Sequence, residues 1–441
     1  MKSCEGGISM KKMSKYGGWS LAVVSTTFLL AGCGQTSGSG NNSTGSAPTG
    51  PVTITFGTCG GATEDQQLQA IIKKINDANK SEFIIKEQNT PSNYDQKLNT
   101  EFAAGNAPDI FYINDANTPT YSKEGVLLNL DSYIQKYKSQ YVVADPANYF
   151  QSSLANDQYQ GHYYALPWIA QPVVMYYNPT LFKQAGLSEP TSSWTWDDFM
   201  KDAKALTNTK TGVYGYLQAN GWPPIEDYIW SYGGHVWNSD ASASAINSPA
   251  ALQGVQLMQQ MVQDKVVPPL AELANVDIES LFRQGRVAMF AGGAADGNYN
   301  SKGFTAKVAE MPMGTQHATQ LYIADMGINA HTTVNKDVVF KAYAALLDAI
   351  DHWKLVPPVQ QYAANLESIS IPDAPGGHTP ADRIQPILNS MKYAQPLRDV
   401  KNMSNYWTVM GNDLYQPILS GQTTPDKALQ KAETDLNALI K

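Results

Sequence analysis

The chain has 441 residues, a formal net charge of −8, and 24 Tyr and 9 Trp against 12 Phe. Single hydrophobic cores stop growing at about 250–300 residues, so this length predicts at least two lobes. The net negative charge argues against nucleic acid and other polyanions as partners.

The first 32 residues have the features of a lipoprotein signal peptide. Lysines precede a short apolar run at residues 21–30, which is shorter than the stretch of about 20 residues that crosses a bilayer. The run leads into Leu-Ala-Gly-Cys, with the cysteine at position 33. We expect residues 1–32 to be removed and Cys33 to carry a thioether-linked diacyl group and an N-acyl chain, palmitate included. These lipids would anchor the protein to the outer face of a bacterial cell membrane. The alternative is an ordinary secretory signal with a chance cysteine.

Residues 33–50 predict a flexible tether. After Cys33 the segment reads GQTSGSGNNSTGSAPTG and contains no large apolar side chain. Such a segment cannot bury enough surface to offset the entropy lost on ordering.

Strands and helices alternate after the tether, a pattern typical of a doubly wound α/β sheet. The predicted elements are a strand at 51–56, a helix around 68–75, a strand from 83, a helix at 94–104 and a strand at 109–113. In such sheets, ligands bind beyond the carboxyl ends of the strands.

The second half continues the alternation after a segment that reads as a loop, residues 161–172. The predicted elements are a strand at 173–177, a helix capped by Asn178-Pro179, a helix started by a capping box at 195–198, helices at 249–263 and 277–284, a strand at 286–290, a helix at 337–354 and a final helix from 425.

Motifs of catalysis and of metal or cofactor binding are absent from the sequence. The histidines are scattered, and there is no HExxH, GxSxG or GxxxxGK[ST] pattern. Cys59 is expected to be unpaired, because Cys4 and Cys33 are assigned to the leader and the lipid. Many Trp and Tyr instead stand beside Gly and Pro, where their flat faces and polar rims would suit a sugar ring.

A series of short blocks then occurs in one order along the chain. The blocks are APDIF (107–111), GVLLNLD (125–131), YALPW (164–168), YYNP (176–179), TWDDF (195–199), GG (233–234), FRQGRVAM (282–289), MGINA (326–330) and MSNYW (403–407). Together these blocks resemble the extracellular solute-binding proteins of sugar ABC transporters, close in pattern to maltose/maltodextrin-binding proteins.

The resemblance implies a two-lobed α/β protein of the periplasmic-binding-protein type, type II-like, with a doubly wound sheet in each lobe and the ligand cleft between them. It places lobe 1 at 51–170 and 318–355, and lobe 2 at 171–317 and 356–441. The implied function is capture of a carbohydrate, in particular an oligosaccharide, by hinge closure. The protein would then deliver it to the transmembrane subunits of an ABC import permease. A monomer without enzymatic activity, cofactor or metal is expected.

The same resemblance implies site residues. Asp115 follows the third strand, where the family often places a carboxylate for sugar hydroxyls, and Glu64 is a similar case after the first strand. Trp407 matches a stacking position beside Tyr406. The remaining candidates are positions that could face the cleft, namely Trp168, Tyr176 and Asp325, the last expected on a loop.

One departure concerns the segment after the strand at 286–290. The family commonly has Gly, a variable residue and a stacking Trp there, whereas this chain has GGAADG at 292–297. Either Trp222, Trp230 or Trp237 supplies the aromatic ring that stacks on the sugar, or Asp296 binds a sugar hydroxyl and the ligand is not a linear maltodextrin.

Alternatives remain open at this stage. The same fold could bind a polyamine or a peptide, since carboxylates and aromatic rings also bind cations. A lipid-anchored glycoside hydrolase would need two carboxyl groups about 5–9.5 Å apart. A receptor that presents its ligand to a sensor kinase cannot be separated from a transport protein by sequence.

Overall fold

The computed structural model describes residues 50–60, 62–114, 117–219, 221–273, 278–294, 299–353, 356–366, 381–398 and 403–440. The predicted signal peptide, Cys33 and all but the last residue of the predicted tether lie outside these ranges. Within them, no helix is both long and apolar enough to cross a membrane.

The elements that lead up to the first long strand alternate as the sequence predicts. They are β1 (Val52–Thr58), α1 (Ala62–Asn79), β2 (Phe83–Asn89), α2 (Tyr94–Ala104), β3 (Ile110–Asn114), α3 (Thr118–Lys123), α4 (Asp131–Tyr137), β4 (Gln158–Tyr159), β5 (His162–Tyr163) and β6 (Ala165–Tyr177), with 3-10 turns at Val142–Ala144, Pro146–Asn148 and Gln151–Leu154.

The remaining elements surround the second half of the sheet. They are α5 (Pro179–Gln184), α6 (Trp196–Leu206), β7 (Tyr214–Leu217), α7 (Ile225–Ser231), α8 (Pro249–Gln263), a 3-10 turn at Leu270–Leu273, α9 (Ile278–Arg283), β8 (Val287–Gly293), β9 (Lys307–Ala309), β10 (Thr319–Ile328), α10 (Lys336–Asp351), α11 (Gln360–Ala363), α12 (Ala381–Met391), β11 (Ala394–Gln395), α13 (Met403–Val409), a π-helical turn at Met410–Tyr415, α14 (Gln416–Leu419) and α15 (Pro425–Leu439).

One mixed sheet runs through both lobes. Its strand order in the described residues is β2-β1-β3-β10-β6-β8-β7, with β11 beside β10 and β9 beside β6. Strands β1, β2 and β3 are parallel, as are β7 and β8. The antiparallel pair of β6 and β10 joins the two parallel groups, so these two strands carry the chain from one lobe to the other.

Strand β6 corrects the expectation of a loop at 161–172. It begins at Ala165 and contains Pro167 and Pro172. Before Val173, its register partners are on β10 alone, and β8 joins only from Val173 onward. A proline costs little where the missing N–H faces the unpaired side of a strand or a bulge, and Pro167 lies opposite the bulge at Ala324/Asp325.

Along each crossing strand, the side chains pass from the hydrophobic core of one lobe to that of the other. On β6, Ile169 belongs to the core of the first lobe and Ala170 to a core of the second. On β10, Ile323 belongs to the second-lobe core and Ala324 to the first. The exact lobe boundaries given above remain a prediction.

Helix starts follow local chemistry that the sequence already indicates. The Asn178 side chain accepts hydrogen bonds from the backbone N–H groups of Thr180 and Leu181 at the start of α5. Thr195 and Asp198 form the predicted capping box at the start of α6. Such caps satisfy N–H groups that have no partner within the helix.

Cys59 corrects a further expectation, because it is disulfide-bonded in the structure. The chain's other cysteines, Cys4 and Cys33, lie outside the described residues. A sulfur in a disulfide cannot also hold a thioether-linked lipid, so pairing of Cys59 with Cys33 and lipidation of Cys33 exclude each other in one molecule.

The close contact between β7 and α6 predicts that Gly215 cannot be replaced by a larger residue without loss of stability. A Cβ atom on Gly215 would overlap the backbone of Ala203, whereas the nearest atom to a Cβ on Gly303 is Ser301 Oγ at 3.8 Å. We expect Gly215→Ala to lower the free energy of unfolding by about 1–3 kcal/mol through overpacking. The matched Gly303→Ala variant should stay within about 0.5 kcal/mol of the parent in urea denaturation. Equal stability of the two variants would contradict this packing.

Candidate ligand-binding site

A cavity of about 440 Å³ lies between a segment that precedes β6 and residues of α7, β11, α13 and the loops next to them. We call it the interlobe cavity. Its lining residues are Ser152, Ala155, Asn156, Glu226, Trp230, His235, Val236, Trp237, Ala394, Gln395, Pro396, Leu397, Arg398 and Tyr406. The segment before β6 supplies the first three of these residues, and elements that follow β6 in the chain supply the others.

Three predicted aromatic residues line the cavity. Trp230 lies on α7, Trp237 follows it, and Tyr406 lies on α13. The rings of Trp237 and Tyr406 are tilted, with their centroids 6.2 Å apart. These side chains give the cavity flat apolar faces of the kind that suit a sugar ring.

Trp407 lies beside this group rather than in the cavity lining. Its ring meets Tyr406 edge-on at 5.1 Å between centroids, and it packs on the cluster of Trp230 and Leu397. It is half-buried. Its role as a stacking residue remains a proposal.

Glu226 is a cavity residue that sequence reasoning missed. It lies in the first turn of α7, and only 2% of its surface is exposed. The Tyr406 hydroxyl donates a hydrogen bond to Oε1, while Oε2 is buried without a partner. Burial raises the pKa of Glu226 to about 7, against a smaller lowering by the Tyr406 hydrogen bond. Acidic residues are common in first helical turns, so the sequence held no signal for this role.

The adjacent Asp227 holds α7 against the crossing strands. Its Oδ1 accepts a hydrogen bond of 2.6 Å from the backbone N–H of Gln320 on β10. The side chain is fully buried, and burial raises its pKa well above the usual range. This contact fixes the position of the cavity residues on α7 relative to β10.

The cavity also has polar groups at its rim. The Arg398 guanidinium donates to the backbone carbonyls of Asn238 and Ser239, at 2.7 and 2.5 Å. Asn156 Nδ2 is buried without a hydrogen-bond partner. Amide donors without partners are available to a ligand that brings acceptors.

Strands of both lobes end at the crossing. Asn114 at the end of β3 lies opposite Ala324, and Gly293 at the end of β8 lies opposite Val173. Gln218 directly follows β7, and both atoms of its buried amide lack hydrogen-bond partners. The sequence reading missed Gln218, although the carboxyl end of a parallel strand is where such a residue would be sought.

Trp168 lies on β6 at this crossing. It is buried, its ring meets Tyr112 edge-on at 5.7 Å, and its Nε1 has no hydrogen-bond partner. The hydroxyls of Tyr112 and Tyr322 lie 3.1 Å apart. The structure therefore brings Trp168 to the crossing strands, but not to the lining of the interlobe cavity.

Two other predicted residues are occupied by internal contacts. Tyr176 stacks on Phe290 in a lobe 2 core, and its hydroxyl donates to the Gly293 carbonyl at 2.9 Å. Trp222 is half-buried, and its Nε1 donates to the Ala291 carbonyl at 2.7 Å. Neither lines the interlobe cavity.

Asp325 corrects the expectation of a loop, because it lies in β10 at the bulge. The Thr118 hydroxyl donates to Oδ2 at 2.6 Å, and the Asp157 carboxyl also interacts with Asp325. Burial is the largest effect and raises the pKa of Asp325 to about 7. Its side chain therefore ties the crossing strand to the start of α3 inside the protein.

The remaining predicted residues cannot be placed. Asp115 and Asp296 lie outside the described residues, and Glu64 lies in α1 with its side chain outside the described part. In the described ranges, no group of three or more His, Cys, Asp or Glu side chains could hold a metal ion.

Comparison with known proteins identifies the family. The sequence profile of the bacterial extracellular solute-binding proteins matches residues 61–349. The chain belongs to this family. It is therefore an extracytoplasmic binding protein rather than an enzyme, and the glycoside hydrolase alternative is set aside.

Relatives cover most of the chain. A binding protein of Brucella abortus is 24% identical over 356 residues, 78% of this chain and 83% of its own length. A galactooligosaccharide-binding protein of Bacillus subtilis is 22% identical, over 78% of this chain and 80% of its own.

A solved structure also matches. An ABC substrate-binding protein from Listeria monocytogenes, in complex with cycloalternan, is 26% identical and covers 88% of this chain and 98% of its own, with a TM-score of 0.74. The predicted two-lobed α/β fold is confirmed.

The buried carboxyl groups predict an unusual pH dependence of stability. Burial raises the pKa of Asp325 in the folded state to about 7, whereas in the unfolded chain the pKa is near the ordinary value of 3.8. Between these values the folded state binds more protons, so the free energy of unfolding falls as pH rises. We expect Asp325→Asn to reduce the loss of stability between pH 5 and pH 8 by on the order of 1 kcal/mol or more.

Urea midpoints at the two pH values measure this loss. Asp240→Asn is the control, because Asp240 is exposed and hydrogen bonds from Ser242 lower its pKa. Any change in stability caused by titration of Asp240 is therefore confined to pH values below about 4. If Asp325→Asn lost as much stability between pH 5 and pH 8 as the wild type does, the raised pKa of Asp325 would be contradicted.

Proposed function

We propose that the protein captures a carbohydrate, an oligosaccharide in particular, between its lobes and delivers it to an ABC import permease. The observation that carries the proposal is the interlobe cavity, which is lined by Trp230, Trp237, Tyr406 and the buried Glu226. A sugar has an apolar C–H face for aromatic rings and a hydroxyl edge for a carboxylate, and the cavity offers both.

The relatives support a carbohydrate ligand. One is described as a galactooligosaccharide-binding protein, and the Listeria structure contains cycloalternan. The Listeria protein is also described as an ABC substrate-binding protein, which supports the permease as partner. We propose a monomer as the working form.

Capture would proceed by hinge closure. Strands β6 and β10 join the lobes, and a ligand that touches both lobes stabilises the closed form. We propose lobe 1 at 51–170 and 318–355, and lobe 2 at 171–317 and 356–441. The permease would then bind the closed form.

A thermal-shift screen of residues 51–441 tests the proposal, with mono-, di- and oligosaccharides compared with polyamines and peptides. A ligand at 100 times its dissociation constant stabilises the folded state by about 2.7 kcal/mol. We expect a shift with oligosaccharides. A shift with a polyamine alone would contradict the carbohydrate ligand; polyamines are included because carboxylates and aromatic rings also bind cations.

Trp230 should contribute to binding. We expect Trp230→Ala to weaken binding of the sugar found in the screen by about 1–3 kcal/mol in calorimetry, because an aromatic face is lost. Trp194→Ala is the matched control, since Trp194 is equally buried in lobe 2 but its Nε1 donates to Asp202 away from the cavity. Both variants should lose stability, and only Trp230→Ala should lose affinity. Unchanged affinity would remove Trp230 from the site.

We also propose that the mature protein is anchored through lipid on Cys33, with residues 33–50 as the tether; in this form Cys59 has no disulfide partner left within the chain. Cys33→Ser should move the protein from the membrane fraction to the soluble fraction, because the lipidated sulfur is lost. Cys59→Ser should leave the protein in the membrane fraction. Membrane association of Cys33→Ser would refute the anchor.

A further inference from the structure

Glu226 has an oxygen that the protein leaves without a hydrogen bond in a cavity built for a ligand. Oε1 accepts from the Tyr406 hydroxyl, while Oε2 is buried and has no partner. When the carboxyl is ionised, Oε2 is a buried charged acceptor without a donor, and when it is protonated, Oε2 carries a hydroxyl without an acceptor. Either state costs free energy. The cavity places Glu226 where a ligand could supply the missing donor.

The groups around Glu226 do not neutralise its charge. Tyr406 faces it from α13 and Tyr415 from the π-helical turn, and the Tyr415 hydroxyl donates to the Pro223 carbonyl. Asp227, next in the chain, is itself buried. Of the two basic residues in the cavity lining, Arg398 is bonded to backbone carbonyls and His235 is exposed. Among the described residues Glu226 has no ion pair, so its burial favours the neutral form.

We infer that ligand hydroxyls donate hydrogen bonds to Glu226 Oε2, and that capture therefore releases to solvent the proton that this carboxyl holds in the empty cavity. The inference rests on the proposed function and adds to it a coupling between ligand binding and pH. The balance is simple: the carboxyl O–H bond breaks, buffer takes the proton, and the hydroxyls keep their own protons while they donate. Ligands whose hydroxyls are removed at this position should bind weakly.

The sign of the pH dependence follows. The pKa of Glu226 in the empty cavity is about 7, and hydrogen bonds from the ligand lower it in the complex. Affinity should therefore rise with pH up to about 7 and level off above it. Below pH 7 the affinity should fall by up to about tenfold per pH unit until the pKa of the complex is reached.

Titration calorimetry in phosphate and in Tris, with the sugar found in the screen, measures the protons released, because the two buffers have different ionisation enthalpies. For a pKa of about 7, we expect roughly half a proton at pH 7, nearly one at pH 6 and almost none at pH 8.5. Glu226→Gln should release none, and its affinity should not vary with pH between 6 and 8.5.

Glu310→Gln is the matched control. Glu310 is also buried in lobe 2, but Asn389 Nδ2 and the Tyr393 hydroxyl donate to its two oxygens at 2.9 and 2.8 Å. This variant should keep the wild-type release of protons. Melting temperatures without ligand verify that both variants are folded.

Two results would overturn this inference and leave the carbohydrate function intact. One is sugar binding with no proton release or with proton uptake, and the other is a Glu226→Gln variant that keeps the wild-type proton release. Failure of every sugar to bind would instead contradict the carbohydrate function, and the inference with it. The two failures are thus distinguishable.

Discussion

The antiparallel pairing of β6 with β10 is the constraint on which the rest of the structure depends. The pairing runs from Ala165 opposite Gly327 to Pro172 opposite Leu321. Lobe 1 adds its parallel strands beside β10, and lobe 2 adds β8 beside β6. Because both lobes grow from one two-stranded ribbon, the carboxyl ends of their strands meet at the ribbon. A site that needs both lobes can form there, and bending of the ribbon can open and close it.

Buried carboxyl groups surround this ribbon. Asp227 accepts from the backbone of β10, Asp325 lies in β10 itself, and Glu226 projects from the same helix as Asp227 into the interlobe cavity. Burial raises the pKa of each of these groups. Asp227 and Asp325 hold neighbouring elements against β10, whereas Glu226 places an acceptor where a hydroxylated ligand can use it. Function and stability are therefore expected to depend on pH through neighbouring groups.

Much of the fold could be predicted because it is encoded locally. The helix at 94–104 and the caps at Asn178 and Thr195 follow from a few adjacent residues. The start of β6 could not be predicted in this way, because a strand accepts Pro167 and Pro172 only where one of its sides remains unpaired. That is a property of the whole sheet rather than of the segment.

The site was predictable in part for a similar reason. The aromatic bias indicated Trp230, Trp237 and Tyr406, since a tryptophan or tyrosine in a Gly-rich or Pro-rich neighbourhood is typical of a binding surface. Tyr176 was a candidate because it could face the cleft from its strand, but its ring lies in a core. A strand buried on both faces leaves no alternation from which to assign the direction of a side chain. Glu226 carried no signal, because only its tertiary burial distinguishes it from an ordinary first-turn acid.

The central claim is that a carbohydrate closes the two lobes around the β6–β10 ribbon. Small-angle X-ray scattering of residues 51–441, with and without a saturating oligosaccharide, tests it most directly. The account predicts a smaller radius of gyration with the oligosaccharide and no change with a sugar that does not bind. An unchanged radius of gyration with the oligosaccharide bound, as verified by calorimetry on the same sample, would contradict capture by closure.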